Sequence, residues 1–262
     1  MRFFAKRCTG VKPPVITIDG PVASGKGTVA RSVADALGFH LLDSGAIYRA
    51  HALACLDRNI EFNEINVLEE QARALSLKFV GSQVWVDGRD ATALVRSEAV
   101  GMAASTLSAI PEVRAALLQR QRDFSQAPGL VADGRDMGTV VFTDAALKIY
   151  LTATAEVRAA RRAGQVTTQR QQIAGHAQAK QLIAKGISAN IRSSPESLDQ
   201  AIDPELARAV EAQIRQRDTQ DKSRAVAPLR PAPDAIVIDN AAHRPEQTVD
   251  AVLALWALRQ PR

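Results

Sequence analysis

The stretch DGPVASGKGT, Asp19 to Thr28, follows the apolar run Val15–Ile18 without a break. Glycines at the spacing G-x-x-x-x-G-K, between a strand pattern and a helix pattern, commit this part of the chain to one local geometry. That geometry is strand, phosphate-holding loop, helix. Gly20, Gly25 and Gly27 let backbone N–H groups face inward around an anion, with Ser24 in the same cradle. The first turn of the helix adds its partial positive charge. Lys26 can reach the β- and γ-phosphates of a nucleotide, and Thr28 can offer a hydroxyl to the phosphates or to a Mg²⁺ shell. A glycine-rich turn with an incidental lysine is the alternative, and the flanking strand and helix patterns weigh against it. The loop says that a nucleoside triphosphate binds; it does not say what happens to it.

Short apolar runs at Val15–Ile18, Phe39–Leu42, Leu130–Ala132, Leu147–Leu151 and Ala235–Ile238 read as buried strands. Most lie beside helical patterns, which predicts an α/β fold with a five-stranded parallel sheet covered on both faces. The first helix starts at the loop's end, with Val29, Val33, Ala36 and Leu37 on one face and Gly38 closing it. Gly45–Leu56 and Glu246–Leu258 are further helices.

Two long excursions interrupt the alternation. The first holds a hairpin-like stretch, Leu77–Gly88, with a Gly-Ser turn, then a helical region over Val95–Phe124. The second contains a polar, glutamine-rich stretch (Gly164–Gln181) and a break at Ser193–Pro195, and is expected to be an exposed insertion. The division expected is an N-terminal extension over 1–12, disordered, and core with the phosphate loop over 13–56. An inserted lobe follows over 57–128, then core over 129–154, a lid region over 155–229, and core again over 230–262.

The chain has 262 residues, 46% of them hydrophobic, enough for a substantial core. Its net charge of +5 suits anionic partners, but no lysine block or arginine-glycine tract marks a nucleic-acid surface. Two cysteines, Cys8 and Cys55, form neither a disulfide framework nor a metal spacing, so a reducing cytoplasm is expected. No apolar stretch approaches the ~20 residues of a membrane helix. The histidines His40, His51, His176 and His243 are scattered and read as incidental.

Strand-end arginines need a reason. Arg49 follows the second strand and Arg135 the third, where ligands of open α/β sheets gather. Together they suggest a second anion beside the nucleotide, or else structural Arg–Asp pairs. Ser44 fits a helix N-cap equally well. Asp43 and Asp133 both end strands, and Asp133 fits either a carboxylate steering Mg²⁺-bound water or a loop cap. On spacing alone, Ser105 and Arg114 belong to a solvated helix face. The R-D-x-x-D-x-x-R run from Arg217 to Arg224 reads as a salt-bridged helix surface or as a mobile cationic arm.

The G-K-G-T ending of the loop resembles the nucleoside monophosphate kinases. LLDSGAIYR (Leu41–Arg49), ADGRDMGTVVF (Ala132–Phe142) and RDTQDKSRAVAPL (Arg217–Leu229) narrow the resemblance to the bacterial cytidylate kinases. It runs from Val15 to the C-terminal helix and is weakest over 163–216. It implies a P-loop kinase core with an acceptor lobe and a lid, and transfer of the γ-phosphoryl group of ATP to CMP or dCMP with Mg²⁺. It further implies that Arg49, Arg135 and Arg224 hold the acceptor phosphate, with Ser44 at the acceptor. Ser105, Arg114 and Asp136 contact the pyrimidine, and Arg217 and Asp221 address the ribose and nearby phosphates. Lys26, Arg135, Arg217 and Arg224 would then carry catalysis, and Thr28 and Asp133 would stand by the metal. A monomer without nucleic-acid or membrane partners is expected. Gln220 and Lys222 stand where some relatives have arginine, Thr143 replaces a proline, and the insert is long.

The rivals are a kinase of another monophosphate or small metabolite, such as UMP, AMP or shikimate, and a nucleotide-dependent switch or ATPase. No N-K-x-D guanine signature is present for a GTPase. No nucleophile–base pair is needed for the kinase reading. A nucleotide 5′-phosphate, with a second pKa near about 6, is mostly dianionic at neutral pH.

Overall fold

A computed structural model describes residues 12–81, 83–165, 167 and 204–259. The expectations for residues 1–11, for most of Gly164–Gln181 and for the Ser193–Pro195 break lie outside the described residues.

Five parallel strands form the central sheet: β1 (Val15–Asp19), β2 (His40–Asp43), β6 (Leu130–Gly134), β7 (Leu147–Thr152) and β8 (Ile236–Asp239). Their order is β2-β6-β1-β7-β8. β1 lies at its centre, and all five of its residues are buried. Continuous burial is why its sequence is apolar without alternation. The strands run slightly later than their apolar runs suggest, because the polar strand ends Asp19, Asp43 and Asp133 still pair. Asp43 stands opposite Asp133, and Asp19 opposite Gly134. Phe39 falls outside β2: its ring packs edge-on against Trp256, with centroids 5.9 Å apart.

One face of the sheet is covered by α1 (Lys26–Leu37) and α9 (Pro245–Ala257), through Val29, Val33, Val252 and Trp256. Gly38 ends α1 at φ 64°, in the left-handed region that glycine tolerates. Ala36, expected on the buried face, is exposed, and Ala30 and Ala34 take that place. The other face carries α2 (Ser44–Asp57), which leads into the first excursion.

That excursion begins with α3 (Ile65–Ala74), which the sequence reading passed over. The expected hairpin forms as β3 (Leu77–Val80) and β4 (Gln83–Val86), with Trp85 in β4, and a short β5 (Arg89–Asp90) extends it to three strands. The helical region expected over Val95–Phe124 holds two helices, α5 (Glu98–Leu107) and α6 (Pro111–Arg122), and a short α4 (Thr92–Val95) ends at its first residue. Ser97 caps α5 through the Val100 N–H, and Pro111 opens α6. Capping and proline cut the run where periodicity alone does not. The apolar cluster joins α2, α5 and α6 to β2 and β6 without a gap, so this lobe shares a core with the sheet.

After β7 a helix occupies 155–165 (α7), and α8 (Pro204–Ser223) carries the arginine run back toward the sheet. Among the described residues no helix is long and apolar enough to cross a membrane.

Candidate active site

The phosphate loop leaves β1 at Gly20, where a Cβ would sit 2.2 Å from the Leu151 carbonyl oxygen, so only glycine fits. Gly25 takes φ 87° at the start of α1, and no side chain caps that helix. The first N–H groups of α1 are therefore left to an incoming anion. Lys26 is the first residue of the helix; its Nζ donates to the Pro21 carbonyl at 3.1 Å. Burial, and after it repulsion from Arg135, pushes the Lys26 ammonium down to about 8 against the pull of Asp133, Asp43 and Asp221. Ser24 is buried, and its Oγ has no hydrogen-bond partner among the described residues.

Beside the loop, Asp133 lies one residue before the end of β6, with its Oδ1 unpartnered among the described residues. Its Oδ2 lies 3.1 Å from where a Gly27 Cβ would be. Burial holds this carboxyl up at about 6 despite Lys26. Thr28 is exposed one position further along α1. A carboxylate with an idle oxygen and an open hydroxyl, both next to the phosphate loop, suit a hydrated Mg²⁺ that phosphates complete.

Across the loop a cavity of about 630 Å³ opens between sheet and lobe, lined by Lys26, Arg49, Arg114, Arg135, Arg217 and Arg224 among others. Its size is that of a small-molecule site. Arg49, from α2, donates to the Val95 and Ser97 carbonyls at 3.0 and 3.3 Å. A Cβ on Gly101 would stand 3.0 Å from both terminal nitrogens of Arg49 and 3.1 Å from one of Arg217. The guanidinium ends of α2 and α8 thus meet over one bare patch of α5. Both are held below the ordinary arginine value by burial first, Arg49 then by Arg217, and Arg217 by Arg162 and Arg135 against the pull of Glu98. Glu98 is the carboxylate near them, 3.5 Å from Arg217 and 2.8 Å from Arg162.

A second group is neutralised. Asp221 accepts from Arg135 at 3.1 Å and from Arg224 at 2.5 Å, and Arg224 also donates to Ser108 Oγ at 2.8 Å. Arg114 and Asp136 form a buried ion pair; Arg114 also donates to the Ser108 carbonyl at 3.1 Å and lies over the Tyr48 ring at 5.7 Å. The solvated-face reading of Arg114 does not hold, because α6 turns this residue inward. Burial raises the Asp136 carboxyl despite its arginine neighbours. Ser105 is only partly exposed, on the cavity wall, with its Oγ 3.4 Å from Gln220 of α8. Ser44 is not the cap of α2: Asp43 accepts from the Ala46 N–H, and Ser44 Oγ donates to the Asp133 carbonyl at 2.8 Å.

Lys26, Ser44, Arg49, Ser105, Arg114, Asp133, Arg135, Asp136, Arg217, Asp221 and Arg224 all line the one cavity. Thr28 and the loop glycines Gly20, Gly25 and Gly27 are not among its lining and belong to the phosphate loop and the start of α1 beside Lys26. The sequence reading missed Arg158, which is buried, donates to the Val22 carbonyl of the phosphate loop at 3.2 Å, and pairs twice with Asp218 of α8. It also missed Arg161, whose guanidinium grips Asn240, which in turn donates to the Ser24 carbonyl at 2.7 Å. Only the first Asp of the R-D-x-x-D-x-x-R run hinted at such a partner.

Three of the scattered histidines have backbone carbonyl partners, and His176 lies outside the described residues. His51 Nε2 bonds the Leu68 carbonyl inside the lobe, His40 the Ala127 carbonyl and His243 the Asp239 carbonyl.

A family model described as cytidylate kinase matches residues 16–192 and 172–257. A curated protein of Bordetella bronchiseptica named cytidylate kinase is 50% identical over 243 residues, 93% of this chain and 95% of that protein. Its namesake in Chromobacterium violaceum is 48% identical over 247 residues, 94% and 97% of the two chains. That of Ralstonia pickettii is 47% identical over 241 residues, 92% and 89%. Similarity this complete takes in the lobe and the arginine helix as well as the phosphate loop, and the chain belongs to the cytidylate kinase family.

Proposed function

We propose that this protein is a cytidylate kinase that moves the γ-phosphoryl group of ATP reversibly onto the 5′-phosphate of CMP or dCMP, giving ADP and the cytidine diphosphate. The observation that carries the reading is the meeting of Arg49 and Arg217 over Gly101, across the cavity from Lys26. Two guanidinium ends, Arg49 half-buried and Arg217 buried, crowd one spot where each is pushed below its ordinary value, an arrangement that an acceptor phosphate would relieve.

The acceptor phosphate is its own nucleophile, so the protein need not remove a proton. What opposes reaction is the mutual repulsion of two polyanions and the demand for in-line approach. Lys26 and the N–H groups of the loop and α1 hold the donor phosphates. Arg49, Arg135, Arg217 and Arg224 hold the acceptor phosphate, and their fixed charge meets the charge that develops on the transferring group. Thr28 and Asp133 would hold Mg²⁺, which when bound would offset charge on the donor phosphates. Asp136, oriented by Arg114, accepts from the exocyclic amino group of cytosine, with Ser105 beside it; Asp221 and Arg217 address the ribose. Ser44 braces the end of β6 below the acceptor. Residues 155–229 act as a lid whose closure excludes water, the competing nucleophile. The reading is of a cytoplasmic protein and of a monomer, and light scattering of the purified chain tests the monomer.

A panel of CMP, dCMP, UMP and AMP with ATP and Mg²⁺ tests the reaction. CMP and dCMP are expected to be the preferred acceptors; equal turnover of AMP would overturn the base assignment. Asp136→Ala is expected to lower the CMP-over-UMP ratio of kcat/KM by about tenfold or more, since a buried acceptor that loses its partner discriminates strongly.

A further inference from the structure

Asp19 ends β1 one residue before the phosphate loop, and its side chain is buried. Its carboxylate does not turn toward the loop. Oδ1 accepts from the Met137 N–H and Oδ2 from the Gly138 N–H, each at 2.8 Å. These residues open a single π-helical turn, Met137–Val141, directly after Asp136. Further along that turn, the Val140 and Val141 N–H groups return to the Asp136 carbonyl at 2.9 and 3.3 Å. The first two N–H groups are among those the turn does not satisfy itself, and Asp19 satisfies both. On the other side there is no slack: a Cβ on Gly138 would lie 2.9 Å from Thr17 Oγ1 and 3.1 Å from the Lys148 stem.

We propose that Asp19 is a positioning residue for acceptor recognition: it clamps the turn after β6 to the end of β1, and so fixes where Asp136 and Arg135 meet the acceptor. A buried carboxylate is costly to desolvate, and two strong amide bonds are what offset that cost here. An asparagine has the same shape, yet it can accept only one of the two bonds and sets its own NH₂ against the other N–H. The turn would then be free to tilt, carrying Asp136 with its Arg114 partner and Arg135 with its Asp221 partner. The inference rests on the reading of Asp136 and Arg135 as acceptor groups.

The test compares Asp19→Asn, Asp136→Asn and the double variant in KM for CMP, KM for ATP, the CMP-over-UMP ratio and Tm. For Asp19→Asn we expect a CMP KM raised about tenfold and a reduced CMP-over-UMP ratio, with the ATP KM changed by less than about twofold. The double variant is expected to fall short of the product of the singles, because both act on one contact. A CMP KM and ratio at wild-type values in Asp19→Asn overturn the clamp, as does an ATP KM that rises in step with that for CMP. If Asp19→Asn does not fold, Gly138→Ala pushes the same turn off Thr17 with the carboxylate intact. It must show the same acceptor-selective pattern, and wild-type acceptor constants there also overturn the clamp. If Asp136→Asn alone leaves the ratio unchanged, the base reading fails and takes the clamp with it. If Asp136→Asn shifts the ratio and Asp19→Asn does not, the clamp alone falls.

Discussion

Lys26 shows how burial prepares a charge for a ligand. Its ammonium has left water for a site where a loop carbonyl and nearby carboxylates are its company, and it holds its proton only up to about pH 8. A bound triphosphate stabilises the charged form and raises that value. ATP binding near pH 8.5 is therefore expected to take up a proton, seen in calorimetry as a binding enthalpy that varies with the ionisation enthalpy of the buffer. Lys26→Ala is expected to abolish that uptake and to lower turnover by on the order of 10²-fold or more. The role of Lys26 was legible because the spacing of the loop dictates it. The cap reading of Ser44 stayed open in the sequence because Asp43, one position earlier, competes for the same amides, and sequence does not say which wins. Arg158 was silent because its partners, Val22 and Asp218, are far away in the chain.

At the scale of elements, α5 earns its place by what it lacks. Gly101 leaves a gap in the helix wall, and the ends of Arg49 and Arg217 occupy its mouth. Gly101→Ala fills that gap with a methyl against the tips of two flexible side chains, so the fold can yield without much strain. Removing glycine from a helix interior also favours the helix by about 0.5–1 kcal/mol. The expected result is a Tm that holds or rises while the CMP KM increases about tenfold, with little change for ATP. Strands and the first helix were readable because continuous apolar runs and a closing glycine have single meanings. The division of Val95–Phe124 into α5 and α6, with α4 just before them, was not, since Ser97 and Pro111 mark helix starts that an apolar periodicity does not register. β5 spans only Arg89–Asp90, both exposed, and leaves no hydrophobic trace.

The whole molecule gathers its acidic strand ends on one edge, and this sets how its stability answers pH. Burial pushes Asp19 up to about 7, aided by Asp136 and Asp133 and opposed by its two amide bonds, and it pushes Asp133 up to about 6. A carboxyl raised on folding favours the native state while protonated. That contribution is complete below its ordinary value of 3.8 and is lost as pH climbs through the raised value. His51, pushed down by burial, works the other way and withdraws its support in acid. Without nucleotide, the wild type is thus expected to lose stability relative to Asp19→Asn between about pH 4 and 7.5. A Tm difference that stays constant over that range would refute the assignment. The order of the sheet could not be read, because apolar runs say which segments are buried and nothing about which neighbour each one takes.

The aromatic contacts have a practical consequence. The chain holds two tryptophans: Trp85 in the hairpin of the inserted lobe, and Trp256 in the last helix, edge-on to Phe39 beneath the sheet. Each half of the molecule therefore carries its own lamp. With Trp256 replaced by phenylalanine, the remaining emission belongs to the lobe alone, and a rapid-mixing trace would time its response to an arriving nucleotide without any attached dye.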